Sequence, residues 1–174
     1  YFYRDKIITG YFQSLSYFSN YIPEIKDIII GNLLLIIPEL KSCNLISQLE
    51  KTLAIHIRRG NKTSSINSRI YGTRSLNEIV RNLELIYIND DYTNILLVGD
   101  DEEYLYKIKN AISIKTDIKF TKDFLDKSSD LIDFYFLTLV KGLIITNSTF
   151  SLWSGYLSEN TVYYPLPFYP LSRD

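Results

Sequence analysis

Short apolar runs alternate with amphipathic segments along most of this chain, and that alternation is the strongest constraint on its fold. Each run is too short for a core helix and is bounded by polar residues, glycine or proline, as strands are. Strands separated by helices form a parallel sheet, which is buried on both faces. The sequence therefore predicts an α/β fold, a Rossmann-like parallel sheet with helices on both faces. The predicted strands are 53–57, 94–99, 118–120, 142–145 and 161–164.

Helix signals separate these strands. Ser75 and Glu78 have the spacing of a capping box, and the apolar residues that follow fall on one helical face. Asn44 is predicted to cap a short helix, and Pro23 to open another. The apolar run 28–38 is predicted to be a core element.

Charged residues directly follow the first predicted strand. The stretch Leu53-Ala-Ile-His-Ile-Arg-Arg-Gly60 ends in His56 and two consecutive arginines, Arg58 and Arg59. Charge seldom follows a core strand without a partner, and two guanidinium groups offer forked donors that match phosphate oxygens. The stretch therefore favours an anionic ligand, a phosphate or pyrophosphate. The alternative is that one arginine is solvated, the other forms a salt bridge, and the histidine is a satisfied core residue.

Composition limits what such a site can be. The 174 residues carry 19 basic and 20 acidic side chains, so the net charge indicates neither nucleic acid nor an anionic membrane as a partner. One cysteine excludes an internal disulfide and a cysteine-based zinc site, and one histidine argues against a metal site built on imidazole, which leaves metal-free chemistry or a loosely held ion. No apolar run reaches the roughly 18 residues that span a bilayer, and no signal peptide is visible. Because the chain lacks methionine and starts in mid-pattern, we expect a fragment of a longer protein.

Polar residues follow two further strands. Asp100 follows the second strand, and the acidic residues after it open a helix whose dipole they complement. Hydroxyls and an amide follow the fourth strand at a strand-to-helix turn, where they could cradle an anion or simply cap the helix. Ligands of parallel sheets bind beyond the carboxyl ends of the strands, so we expect these residues beside the arginine pair. The turn residues are Thr146, Asn147, Ser148 and Thr149.

Asp133 is a single acid inside an apolar helix predicted over 130–140. A buried carboxylate is costly unless it accepts hydrogen bonds. The sequence therefore predicts a partner for Asp133, supplied by the protein or by a ligand.

Four separated blocks resemble glycosyltransferase family 11, the α1,2-fucosyltransferases. His56-Ile-Arg-Arg-Gly60 looks like the His-x-Arg-Arg motif shared by α1,2-, α1,6- and protein O-fucosyltransferases; the other blocks are Gly10-Tyr-Phe-Gln-Ser14, Val98-Gly-Asp-Asp-Glu102 and Thr146-Asn-Ser-Thr-Phe-Ser-Leu-Trp153. The resemblance implies a GT-B fold, a GDP-β-L-fucose donor, inversion to an α-fucoside, and no required metal or other cofactor. It also implies that 51–174 form the donor-binding Rossmann-like domain, that 1–50 are an inter-domain segment with entry helices, and that the N-terminal acceptor domain is largely missing.

The resemblance further implies roles for individual residues. Arg58 would hold the β-phosphate and stabilise the leaving GDP, with Arg59 assisting or fixing the strand end. Asp133 would accept hydrogen bonds from guanine, and His56 would line the site at the sugar or ribose. The contacts to the pyrophosphate and the nucleotide would come from Asn147, Ser148, Thr149 and Phe150.

One position departs from the family pattern. Where the family continues Arg-Arg-Gly-Asp, this chain has Asn61, which cannot act as a base. Asp100, Asp101 or a residue before Tyr1 could replace it, and His56 is the only side chain whose ordinary pKa lies near neutrality. The predicted catalytic residues are therefore Arg58, His56 and Asp100.

Three other interpretations stay open: an α1,6-type fucosyltransferase, a non-catalytic module that binds a nucleotide sugar or glycan, and a purely structural domain. The expected partners are GDP-fucose and a glycan acceptor, either a galactose-terminated oligosaccharide or a surface polysaccharide precursor. The high content of Ile, Asn, Lys and Tyr is typical of an AT-rich, bacterial genome. We accordingly expect a cytoplasmic enzyme, with peripheral attachment at the inner face of the membrane as an option for the full-length protein.

Overall fold

A computed structural model describes residues 15–60, 74–125 and 129–165 of the chain, and these contain a five-stranded parallel sheet. The strand order is β3-β2-β1-β4-β5. The order of strands reverses between β1 and β4, which places a crevice at their carboxyl ends. The predicted α/β, Rossmann-like fold class is confirmed. The strands are β1 (Thr52–Ile57), β2 (Asn94–Gly99), β3 (Asp117–Lys119), β4 (Gly142–Ile144) and β5 (Thr161–Tyr163).

Helices cover both faces of the sheet. α3 and α4 pack on one face, and α1, α2, α5 and α6 pack on the other, each face with its own apolar cluster. The helices are α1 (Ile22–Ile36), α2 (Cys43–Leu49), α3 (Leu76–Asn89), α4 (Glu102–Ala111), α5 (Asp130–Leu139) and α6 (Thr149–Leu157).

The central strand β1 is buried along its whole length. Leu53, Ile55 and Ile57 point into the cluster formed with α3 and α4. Ala54 belongs to the opposite cluster, and His56 packs there against Phe150 of α6. Since successive side chains of a strand alternate between faces, β1 delivers its histidine to one face and stops at the carboxyl edge with Arg58.

Hydrogen-bonding caps begin three of the helices. The Ser75 side chain accepts a hydrogen bond from the Glu78 amide, so the predicted start of α3 is confirmed. Asp101 caps α4 and Ser129 caps α5 in the same way. The predicted cap at Asn44 is wrong, because α2 begins one residue earlier and Ser42, in extended conformation, occupies the N-cap position.

The apolar run 28–38, predicted as a core element, packs into the core along one side only. The helix α1 continues through Gly31, yet Leu33 is its one residue recorded as buried, and Leu35 is 74% exposed. A helix that is apolar nearly all round turns only one side to the sheet, so the remaining apolar side chains face outward. Among the described residues, no helix is long and apolar enough to cross a membrane.

The helices before β1 share their core with the sheet. Leu40 and Leu49 are fully buried in the same cluster as Phe136 of α5. The predicted boundary between 1–50 and 51–174 stays a prediction. The first family-like block, Gly10 to Ser14, and the position of Asn61 lie outside the described residues.

Candidate functional site

Arg58 leaves the carboxyl end of β1 and forms an ion pair with Asp100, which follows β2. Arg58 Nη1 lies 2.8 Å from Asp100 Oδ2, and the other carboxylate oxygen, Oδ1, accepts a hydrogen bond of 2.8 Å from the Arg59 amide. The Arg58 side chain is 45% exposed and that of Asp100 is 21% exposed. Among the described residues, Arg58 is paired through this one nitrogen. The ion pair therefore orients a guanidinium group that still reaches solvent.

Two glycines permit this close approach of β1 and β2. A Cβ atom on Gly99 would lie 2.4 Å from the carbonyl oxygen of Ile57, its register partner. A Cβ atom on Gly60 would lie 2.8 Å from Asp100 Oδ2, and the backbone there has φ of +23°. Any larger residue at Gly99 would push the two strand ends apart.

Arg59 is held differently from its neighbour. Its Nε lies 3.0 Å from Asp101 Oδ2, and its guanidinium carbon lies 3.8 Å from the centre of the Tyr104 ring. Asp101 also accepts a hydrogen bond from the Tyr104 amide as the cap of α4. Arg59 thus ties the end of β1 to the first turn of α4. Both Asp101 and Tyr104 escaped the sequence analysis as partners of the arginine pair.

A cleft of about 780 Å³ opens at the junction of β1 and β4. Arg58, Arg59 and Asn147 all line it, together with Tyr104. The structure therefore brings three of the sequence-predicted site residues to one cavity. Its volume falls in the range of about 300–1,000 Å³ that is usual for ligand pockets.

The turn from β4 into α6 forms one wall of that cleft. Ser148 occupies the N-cap position of α6, but its side chain makes no capping hydrogen bond. Ser151 instead donates to the carbonyl oxygens of Thr146 and Ser148, which fixes the turn. Thr149, at the first position of α6, is exposed. The start of α6 thus presents its dipole at the carboxyl edge without a capping side chain.

Thr146 is a cleft residue that the sequence analysis counted only as part of the turn. Its Oγ1 atom is buried and has no hydrogen-bond partner among the described residues. An unsatisfied buried hydroxyl is costly, by about 1–3 kcal/mol. The signal in the sequence was the position itself, directly after a buried strand.

His56 and Phe150 lie together on the opposite face of the sheet. Their ring centres are 5.1 Å apart, and Phe134 of α5 meets Phe150 edge-on at 5.5 Å. His56 is almost fully buried. The histidine is therefore part of an aromatic cluster with Phe150 and Phe134.

Asp133 lies in a second, smaller cleft beside the end of β2. This cleft has a volume of about 240 Å³ and is lined by Val98, Gly99 and Thr121 as well as Asp133. Thr121 Oγ1 donates a hydrogen bond of 2.5 Å to Asp133 Oδ1, so the protein supplies one partner for this carboxylate. Burial raises the pKa of Asp133 above its ordinary value, the Thr121 hydrogen bond lowers it, and the charge of Asp130 raises it.

The geometry bears on the role of Asp100. Both of its oxygens already accept hydrogen bonds or face a guanidinium nitrogen. Taking a proton from a substrate would neutralise this carboxylate and so weaken its ion pair with Arg58. The arrangement therefore favours a positioning role for Asp100, while its predicted catalytic role stays a prediction. Within the described ranges, no three His, Cys, Asp or Glu side chains come together as a metal site would require.

Comparisons with known proteins point to one family. The sequence model described as Glycosyl transferase family 11 matches residues 4–169 of this chain. An alpha-1,2-colitosyltransferase of Escherichia coli is 26% identical over 155 residues, which is 86% of this chain. The chain spans 50% of the length of that relative.

Proposed function

Because the chain belongs to glycosyl transferase family 11, we propose that it binds GDP-β-L-fucose and contributes to transfer of fucose to a hydroxyl of a galactose-type glycan. The transfer inverts the donor configuration and gives an α1,2 linkage. The acceptor is a galactose-terminated oligosaccharide or a surface polysaccharide precursor, and the reaction takes place in the cytoplasm. In this proposal the described residues supply the donor side of the site.

The observation that carries this proposal is the half-exposed guanidinium of Arg58 at the strand-order reversal. Asp100 orients the group through an ion pair, and Arg58 lines a cleft that Asn147 also lines. A guanidinium group with free N–H donors matches the oxygens of a diphosphate. The uncapped start of α6 adds a favourable dipole for the same anion.

The chemistry of glycosyl transfer explains why such groups suffice. The sugar becomes cationic and oxocarbenium-like in the transition state while negative charge grows on the departing diphosphate. A fixed guanidinium group stabilises that charge without reorganisation. Arg58 therefore performs the part that a divalent cation performs in other transferases, and we propose that no metal is required.

The nucleoside end of the donor lies, in this proposal, at the same carboxyl edge of the sheet but in the second cleft. Asp133 accepts hydrogen bonds from the guanine base in the smaller cleft, and His56, which packs against Phe150, lies near the ribose. A cleft of about 240 Å³ suits one ring system and not a whole nucleotide sugar. Ser148 and Thr149 contact the pyrophosphate from the start of α6.

A second donor is favoured by one comparison. The relative from Escherichia coli is named as an alpha-1,2-colitosyltransferase, and colitose is fucose without its 3-hydroxyl. A site that holds GDP in the same manner would accept either sugar. Turnover of the full-length protein with GDP-fucose and GDP-colitose, under equal conditions, separates the two donors, and linkage analysis of the product separates α1,2 from α1,6 transfer.

Calorimetric titration of the folded chain with GDP and GDP-fucose, in buffer containing a chelator, tests donor binding. Replacing Arg58 by alanine should weaken GDP binding by about 10- to 100-fold, the value of a charge-assisted hydrogen bond. Arg81→Ala is the matched control, since Arg81 is exposed on α3. The donor assignment would be overturned if the wild type did not bind GDP, or if Arg58→Ala bound GDP as tightly as the wild type. Binding without turnover by the full-length protein would favour the non-catalytic module.

A further inference from the structure

The hydroxyl of Thr121 has no part in the proposed function so far, yet it lies in the smaller cleft. Thr121 is 5% exposed and starts the short 3₁₀ turn Thr121–Asp123 that follows β3. Its Oγ1 donates to Asp133 Oδ1 at 2.5 Å. Among the described residues, no other side chain or amide is hydrogen-bonded to the Asp133 carboxylate.

A buried carboxylate can present either oxygen to a ligand, and it can also lose its charge. A neutral acid is a poor acceptor for the adjacent N1–H and N2–H donors on the Watson–Crick edge of guanine. A donor bound to one oxygen fixes the rotamer, leaves the second oxygen and a lone pair of the first for the two guanine donors, and favours the charged form. Thr121 is placed to do all three.

We propose that Thr121 is a positioning residue that sets the Asp133 carboxylate for guanine and thereby selects guanine over other bases. The inference rests on the proposed function, since it assumes that the nucleoside end of the donor enters this cleft. Residues with apolar side chains from β2, from α4 and directly after β3 line the same cleft as Asp133, which suits a flat ring: Leu97, Val98, Leu105 and Phe120.

Charged groups around Asp133 set the background for any pH dependence. Asp130 lies on the same helix and opposes ionisation of Asp133. Lys122 and Glu102 line the same cleft and pair with each other at 2.6 Å. These groups remain when Thr121 is replaced, so they contribute equally to the wild type and the variant.

The test compares Thr121→Val with wild type in calorimetric titrations with GDP, inosine diphosphate and ADP between pH 5 and 8. Valine keeps the volume but removes the hydroxyl, so GDP affinity should fall about 10-fold near neutrality. The preference for GDP over ADP should shrink. Because removing the hydrogen bond raises the pKa of Asp133 further, the loss of GDP affinity on acidification should begin at a higher pH in the variant. The phosphates of GDP titrate equally with both proteins, so only the difference counts.

Two further variants keep the test sharp. Thr121→Ser retains the hydroxyl and should bind GDP like wild type. Thr138→Val removes another buried threonine hydroxyl, which bonds to the Tyr135 carbonyl of α5, and should leave GDP binding unchanged. If Thr121→Val does not fold, Thr121→Ala is measured in its place.

The outcomes separate the inference from the proposed function. A wild type that binds GDP, with a Thr121→Val variant that has the same affinity, base preference and pH profile, would overturn the inference and leave the donor site intact. A wild type that does not bind GDP would overturn the proposed function itself.

Discussion

Two neighbouring arginines at the end of β1 are held by two neighbouring aspartates at the end of β2, but the two pairs differ. Arg58 meets Asp100 through one nitrogen and stays 45% exposed. Arg59 meets Asp101 and also stacks on Tyr104, so both its edge and its face are used. The difference separates a guanidinium group held through one nitrogen from one that is both paired and stacked.

The sequence analysis predicted that Arg59 either assists Arg58 or fixes the strand end, and the contacts of Arg59 with Asp101 and Tyr104 favour the second role. The predicted alternative, in which one arginine forms a salt bridge and the other is solvated, describes neither residue fully, because both form ion pairs. Substitutions in the two pairs should therefore change different properties, either turnover or stability. Changes at Arg58 and Asp100 should affect catalysis, and changes at Arg59 and Tyr104 should affect stability.

The largest effect is expected for Arg58→Ala in the full-length protein. Removing one preorganised donor to developing negative charge should lower kcat by about 100- to 1,000-fold. Thermal unfolding should be almost unchanged, because the side chain is half exposed. A steady-state assay with GDP-fucose and a galactoside measures the first, and calorimetry the second. A variant that retains full activity would contradict the role of Arg58.

Asp100→Asn should have a smaller effect on catalysis. The amide can still accept the Arg59 N–H, but the guanidinium of Arg58 loses its charged partner, so turnover should fall by about 10- to 100-fold through misorientation. If Asp100 orients Arg58, the acid limb of the pH–rate profile keeps its midpoint. Loss of that limb would identify Asp100 as the general base instead.

Arg59→Ala is expected to lower stability while turnover is largely retained. The partly exposed ion pair and the stacking on Tyr104 together should contribute about 1–2 kcal/mol to the free energy of unfolding. Turnover at a temperature where the variant is folded should stay within about 3-fold of wild type, a prediction that follows from its packed guanidinium. Urea denaturation gives the first quantity. A large loss of activity without a loss of stability would show that Arg59 also binds the ligand.

The smallest effect is expected for Tyr104→Leu. Leucine keeps the apolar contact but removes the ring beneath the Arg59 guanidinium, so the variant should lose about 0.5–1 kcal/mol of stability. The double variant with Arg59→Ala should then lose less than the sum of the two single losses. Strict additivity in that cycle would mean that the stacking contributes nothing.

The sequence predicted what depends on local pattern. Strand β1, the cap at Ser75 and the position of Arg58 at a strand end all follow from residues that are neighbours in the chain. The partners of Arg59 did not, since Asp101 and Tyr104 arrive at its side only when β2 pairs with β1. For Asp133 the cost of burial predicted that a partner exists, but the identity of Thr121 depends on where the turn after β3 packs.

For α1 the prediction of a core element was right for only one side of the helix, for a related reason. Its apolar residues surround the helix, and composition alone predicts burial for such a pattern. Only the packing against α5 and α6 decides that Leu33 is inside while Ile28 and Leu35 are outside.

Gly99 is a position at which this fold should tolerate almost no substitution. The Ile57 carbonyl group fills the space that a side chain at position 99 would need. A deep mutational scan that selects for folded protein should therefore recover almost no substitution there. Position 31, where nothing lies within 4 Å of an added Cβ atom, should accept alanine and gain from it, by about 0.5–1 kcal/mol of helix stability. Any engineering of this sheet edge would therefore have to keep the junction of β1 and β2 unchanged.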